Sequence, residues 1–313
     1  MSRHAKAALV ALLLVATALA FVHAERLKLT PSPIVGTRVE NKIFSPRCDC
    51  DTDVAVVSFV LRRPDVVTIE IVDRSGDLVR SLAFDVVRKR GRMQFFWNGR
   101  DDSGAIAADG VYRPRIHLGR ARRTIVMPND LRIDTEPPTV AFASLRPRRI
   151  SPDGDRRNDR TIIRYRASEP SSVRLLVDGR QQVRKRGQQL RGRLDWTGLI
   201  DGTPAEPGTY TLTLVGVDAA GNLGVESRPR SLLVRYVALG REVIRVAAGS
   251  RFGVLVRSDA AEIAWRLGPR SGVARPGTLK LRAPAKPGRY RLVVSANGYE
   301  TRATVIVQER PAP

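Results

Sequence analysis

Beyond residue 25 the chain is written in alternation. In "VVTIEIVD" (Val66–Asp73), "SSVRLLVD" (Ser171–Asp178), "TYTLTLVGVD" (Thr209–Asp218) and "RYRLVVSA" (Arg289–Ala296), apolar and polar residues trade places along the run. That is the period of a strand whose two faces meet different surroundings. The clusters "DRSGD", "DDSGA", "DAAGN" and "SANGY" punctuate these runs and carry the Gly, Asp and Asn that tight turns need. No stretch after residue 25 shows the period of an amphipathic helix. Many short strands at regular spacing predict an all-β chain built of sandwiches.

The helical signal lies at the N-terminus. Arg3, His4 and Lys6 precede the apolar stretch Ala7–Val22, and "VHA" (Val22–Ala24) offers small residues before Glu25. This is the layout of a signal peptide. The sixteen-residue stretch is longer than the usual apolar region of about 7 to 15 residues and approaches the ~17 needed to span a bilayer. Residues 1–25 are therefore expected to be a signal peptide or an uncleaved anchor, and the length tips the reading toward the anchor. In either case the basic end stays inside and the chain after Glu25 faces out. No cysteine follows the apolar stretch directly, so lipid acylation there is not expected.

The strand pattern occurs twice. Ser45–Asp53 reads "SPRCDCDTD" and Ser151–Asp159 reads "SPDGDRRND". Each opens with Ser-Pro and has Asp at its fifth and ninth positions. Each is followed by two strands, then by a basic hairpin, "VVRKRGR" or "VRKRGQQLRGR". Next come Trp97-Asn98-Gly99 or Trp196-Thr197-Gly198, and then "DGVY" (Asp109–Tyr112) or "PGTY" (Pro207–Tyr210). "DTEPPTV" (Asp134–Val140) separates the copies, and its prolines suit a boundary. A third, shorter unit has Trp265 and "PGRY" (Pro287–Tyr290) but lacks the Ser-Pro opening.

This order of motifs resembles the FlgD/Vpr-type Ig-like domain of flagellar hook-capping proteins and secreted bacterial subtilases. The resemblance covers Ile34 to about Leu118 and Thr139 to about Val234. It implies a β-sandwich module without catalytic residues of its own. With neither a hook-assembly segment nor a protease domain in the chain, a flagellar role and a subtilase activity are not expected to carry over. The first copy has Cys48-Asp49-Cys50 where the family has Gly-Asp-Gly. The expected architecture is all-β, with tandem Ig-like sandwiches after an N-terminal hydrophobic helix. The domains would be residues 30–120 and 139–237 of FlgD type, a linker at 121–138, an Ig-like domain at 240–308, and a tail at 309–313.

Charge adds a partner class. The chain of 313 residues carries +23, and seven of its 54 basic residues are lysine, leaving 47 arginines. A GC-rich coding bias accounts for such a content. The functional reading is attraction to an anionic cell-envelope polymer, a lipid surface or another envelope protein. Aromatic residues are only 5% and do not interleave with arginine as stacking surfaces for single strands do, so nucleic acid is not an expected partner. The matching basic hairpins, with Arg88, Lys89 and Arg90 in one copy and Arg184, Lys185 and Arg186 in the other, are the candidate polyanion contacts. Such charges also guard an edge strand against pairing.

Other candidates each have a plainer reading. Asp49, Asp51 and Asp53, and Asp153, Asp155 and Asp159, offer hard oxygen ligands that suit calcium. The EF-hand pattern fails, and turns in which Asp accepts backbone N–H bonds explain the same residues. Arg156, Arg157 and Arg160 are candidates to neutralise the second knot. Cys48 and Cys50 can form a local disulfide, act as a redox pair in an accessory redox protein, or supply two ligands to a soft metal. A zinc site needs two more ligands, and the only histidine after Glu25 is His117. Exposed Trp97 or Trp196 would make a carbohydrate-binding platform, whereas their placement beside strands favours core packing. There is no Gly-x-Ser-x-Gly elbow, Walker A loop or Rossmann fingerprint. The expectation is a non-enzymatic structural or adhesive protein of the cell envelope, with no cofactor beyond a candidate calcium.

Overall fold

The computed structural model describes residues 11–22 and 31–309. Residues 11–22 are helical, and among the described residues no helix is long and apolar enough to cross a membrane. The basic residues Arg3, His4 and Lys6, most of the Val22–Ala24 cleavage signal and residues 310–313 lie outside the described residues. The rest is strand and turn, and it divides into two compact units at Thr135/Glu136.

The first unit holds one sandwich. Ile34–Glu40, Ala55–Leu61 and Gly91–Trp97 form a three-stranded antiparallel sheet. The facing sheet runs Ile43–Phe44, Leu131–Ile133, Gly110–Leu118, Asp65–Val72, Leu78–Arg88, with Arg123–Val126 also paired to Gly110–Leu118. The alternation in the sequence is what buries. Ala55, Val57, Phe59 and Leu61 are inside while Val56, Ser58 and Val60 are not, and they pack on Val67, Ile69, Ile71 and Ile116 of the other sheet. Fully burying a side chain of that size contributes about 1.5–3 kcal/mol.

The segment 121–138, expected as a linker, is mostly part of this sandwich. Arg123–Val126 and Leu131–Ile133 are ladder strands of only four and three residues. Strands so short carry no readable period, and their register comes from the sheet they join.

The second unit holds two sandwiches with separate cores. In the first of them, one strand of 17 residues, Thr161–Val177, serves both sheets. Its first half pairs with Val140–Arg146 and Gln189–Trp196, and its second half with Gly208–Val217 and Arg180–Arg184. The equivalent strand of the first unit is interrupted at Arg62–Pro64, giving Ala55–Leu61 and Asp65–Val72. The last sandwich packs Val237–Leu239, Arg251–Ser258 and Gly277–Arg282 against a five-stranded sheet in which Tyr299–Gln308 lies between Val243–Ala247 and Gly288–Ala296. It therefore begins at Val237, a few residues before the expected 240.

The Ser-Pro and Trp-x-Gly motifs meet in both copies. Gly99 and Gly198 have φ of 69°, the left-handed region that favours glycine. A Cβ on Gly99 would strike the Pro46 ring, and one on Gly198 would lie 2.7 Å from the Pro152 ring and 2.9 Å from Ile150. The indole N–H of Trp97 donates to Arg100 O at 2.9 Å and that of Trp196 to Leu199 O at 3.1 Å, so each buried ring also pins the turn after it. Gly198→Ala combines a left-handed alanine with an overpacked contact and is expected to cost about 2–4 kcal/mol. Gly202→Ala, at φ 83° with open space around it, should cost only about 1 kcal/mol. Chemical denaturation followed by hydrogen exchange resolves the second sandwich and checks the difference.

Candidate functional site

The acidic knot at Ser151–Asp159 is a closed turn. Ser151 N–H donates to Asn158 O at 3.0 Å. The Asp159 carboxylate accepts the amides of Gly154 at 3.1 Å and Arg156 at 2.7 Å. Asp155 accepts the Arg157 amide at 2.7 Å, and Asp153 accepts the Asp155 amide at 3.4 Å and the Ser151 hydroxyl at 3.3 Å. The side-chain amide of Asn297, from the third sandwich, then donates to both Asp153 at 3.1 Å and Asp155 at 3.2 Å. Every oxygen of the three carboxylates is thus engaged by a protein donor.

The same loop reaches the third sandwich at further points. Asn158 donates to the Asp259 carboxylate at 3.1 Å, and Arg157 to the Asp259 carbonyl at 3.4 Å. Nearby, Tyr236 and Tyr299 stack with centroids 3.4 Å apart, and the Tyr236 hydroxyl donates to Ala205 O at 2.7 Å. The acidic knot is therefore a latch between two sandwiches. Arg156, Arg157 and Arg160 do not neutralise it: among the described residues no cation lies within 4.0 Å of its carboxylates. Amide dipoles do that work instead. One oxygen each of Asp153, Asp155 and Asp159 falls within 4.8 Å of the others, and amide donors account for that grouping.

The first loop closes by a different bond. Ser45 N–H donates to Thr52 O at 3.2 Å, the same register as in the second. Here Cys48 and Cys50 are joined in a disulfide. They occupy the positions of Gly154 and Arg156, whose amides Asp159 clamps in the second loop. Arg47 stands where Asp153 stands, and among the described residues a metal-type carboxylate cluster forms only in the second loop. Asp49, Asp51 and Asp53 are not gathered. The soft-metal reading of the cysteines loses both its sulfur ligands to the disulfide.

Trp97 and Trp196 are 0% and 2% exposed. The sugar platform that required these rings at the surface does not exist, because the rings fill the cores beside Tyr112 and Tyr210. His117 is exposed and bonds the Thr124 hydroxyl at 3.0 Å. Arg88, Lys89 and Arg90 are exposed, as are Arg184 and Arg186, while Lys185 is half-buried. The structure splits the first hairpin's candidates. Arg90 joins Arg62, Arg63, Arg120 and Arg123 in a cleft of about 830 Å³ that the sequence reading missed. Its signals were "RRP" at 62–64 and "RARR" at 120–123, legible as basic runs but not as neighbours.

Fold and loops together define a tandem Ig-like β-sandwich protein. The model of the FlgD Ig-like domain family matches residues 51–118, within the first sandwich, which is thus similar to that domain in sequence. No curated protein matches the chain. Among solved structures, the fibronectin(III)-like modules of Clostridium thermocellum CbhA match at 16% identity, covering 64% of this chain and 93% of theirs, with a TM-score of 0.34. The I67–I69 fragment of titin matches at 12% identity over 90% of this chain and all of its own (100%), TM-score 0.32. A bacterial ice-binding adhesin structure matches at 12% identity over 90% and 100%, TM-score 0.29.

The latch has a pH signature. The Asp153 carboxyl is held above its ordinary value of 3.8, first by withdrawal from water and further by the charges of Asp155 and Asp259, with the bonds from Asn297 and the Asp155 amide opposing. A carboxyl raised on folding binds its proton more tightly in the folded state. Its contribution to stability is complete below 3.8 and is lost as pH rises through the raised value. Asp153→Asn should flatten that dependence in hydrogen exchange of residues 154–157. Asn297→Ala, which removes the two cross-sandwich bonds that Asn297 makes, is expected to cost about 1–2 kcal/mol at neutral pH. An unchanged junction in that variant would mean the Asp259 bonds and the tyrosine stack hold it without Asn297.

Proposed function

We propose that this chain is a non-catalytic structural or adhesive protein of the cell envelope. It presents its sandwiches outside the membrane and meets anionic envelope components through arginine-rich faces. The Ig-like sandwich is generally a non-catalytic module, and function on it resides in surfaces and loops. The observation that carries the reading is the latch. Two sandwiches tied by Asn297, Asp259 and the Tyr236–Tyr299 stack make a stiff spacer, a device suited to holding a surface at a distance. The N-terminal apolar stretch supplies the export or anchoring signal that such a role needs.

Protease accessibility tests the placement. The full chain expressed in a bacterial host should have its sandwiches cleaved by protease added to intact spheroplasts. A Leu13→Arg, Leu14→Arg variant, which breaks the apolar stretch, should keep them protected inside. Protection of the unaltered chain would overturn the extracytoplasmic reading.

The disulfide supports a staple over a redox pair, because it closes the loop that a carboxylate closes in the second copy. Cys48→Ser with Cys50→Ser is expected to cost about 1.5 kcal/mol, the chain-entropy value for a three-residue ring, with binding to isolated envelopes unchanged. Loss of that binding without loss of stability would favour the redox reading.

A further inference from the structure

The cleft at one end of the first sandwich gathers Arg62, Arg63, Arg90, Arg120 and Arg123. All five are exposed, and among the described residues none has a carboxylate within 4.0 Å. Asp65 also lines the cleft but is occupied: its carboxylate accepts the amides of Val66 at 2.8 Å, Arg120 at 2.7 Å and Ala121 at 3.2 Å. That buried aspartate fixes the loop bearing Arg120 and leaves the guanidiniums uncompensated. Like charges so collected repel one another unless an anion bridges them.

The repeat supplies an internal control. The two copies align without gaps through their paired strands, since Ala55 pairs with Trp97 as Thr161 does with Trp196, and Val67 with Leu118 as Val173 with Gly216. On that alignment Arg62, Arg63, Arg90 and Arg120 correspond to Ser168, Glu169, Gln189 and Asp218. Four positive charges in one copy become two negative charges in the other. The fold is the same, so it does not require the arginines. The second copy satisfies its loop through Asp218, whose carboxylate holds Asn222 at 2.8 and 2.9 Å.

The chemistry and the place narrow the ligand. Guanidinium forks match phosphate oxygens bidentately. Between them the walls are apolar, with Pro31, Pro33, Pro64, Val35 and Val60, as suits a group with a charged head and an aliphatic body. The described part of the apolar helix reaches residue 22 and the cleft wall begins at Pro31. Nine residue steps span at most about 30 Å, so the cleft cannot leave the neighbourhood of whatever surface that helix meets. Basic residues beside a membrane segment bind anionic headgroups, with about 1 kcal/mol from each.

We propose that this five-arginine cleft docks the phosphate headgroups of anionic lipid and seats the first sandwich on the bilayer surface. The proposal rests on the reading that the apolar stretch meets a membrane. The test is flotation of the full chain with vesicles of phosphatidylcholine alone, or with phosphatidylglycerol added, at low and high salt. The variant carries Arg62→Ser, Arg63→Glu and Arg120→Asp, residues the second copy already tolerates. Phosphatidylglycerol should raise binding of the unaltered chain about tenfold or more at low salt, and the variant should lose that gain. A gain that persists in the variant overturns the cleft. No gain for either chain, with polyphosphate in solution bound only by the unaltered one, overturns the lipid and makes the cleft a site for a soluble polymer. Binding to phosphatidylcholine vesicles reads the apolar stretch separately: if it is absent while the phosphatidylglycerol gain still depends on the arginines, the anchor fails and the cleft stands.

Discussion

A proline ring sits where a side chain would grow from the glycine after each core tryptophan. That contact, Pro46 on Gly99 and Pro152 on Gly198, fixes the Ser-Pro loops on which the acidic motifs are carried. The tryptophan fills the core, its N–H holds the turn, and the turn offers a bare glycine face for the proline. Ser45 and Ser151 are buried beneath, at 0% and 2% exposure. Their loops then leave the sandwich in a defined direction, and what they do next is decided by a few side chains.

The two loops close the same ring by different bonds. A disulfide joins positions 48 and 50 in the first. A carboxylate, Asp159, gathers the amides at positions 154 and 156 in the second. The covalent version is backed from its own sandwich by Asn41, whose side-chain amide donates to Asp51 O at 3.2 Å and Val54 O at 2.8 Å. The carboxylate version assembles three aspartates whose negative charge must be met by donors, and Asn297 of the next sandwich is one of them. An acidic knot in a chain of +23 is thus a means of joining two sandwiches. Amides satisfy it without drawing in the surrounding guanidiniums, which keep their charge for other partners.

The strands were legible because a sandwich enforces a two-residue period, and Ala55–Leu61 follows it without exception. The repeat was legible because Trp, Gly and Ser-Pro each have a steric duty that few other residues perform. The strands at 123–126 and 131–133 were hidden, since three or four residues show no period and owe their form to neighbours. The latch was hidden for a related reason: Asn297 lies 144 residues from Asp153, and "SANGY" reads alone as an ordinary turn. The arginine cleft needed the fold as well, because residues 62, 90 and 120 are far apart in the chain and meet only when the sandwich forms.

Duplication separates what the fold demands from what it permits. Positions kept in both copies have duties in the fold: Trp97, Trp196 and Tyr112 are buried, Tyr210 is half-buried, and all four donate to the backbone. Positions that reverse sign, Arg63 against Glu169 and Arg120 against Asp218, lie at the end of the sandwich: the arginines are exposed there, whereas Asp218 is buried and holds Asn222. A coding bias toward arginine would raise the basic content of both copies alike. It does not explain why one copy gathers five guanidiniums around a cleft while the other has Ser168, Glu169, Gln189 and Asp218 at four of the same places. The difference in charge between two ends of one architecture is therefore the feature of this surface that composition leaves unexplained, and a bound anion is the physical state in which that arrangement is at rest.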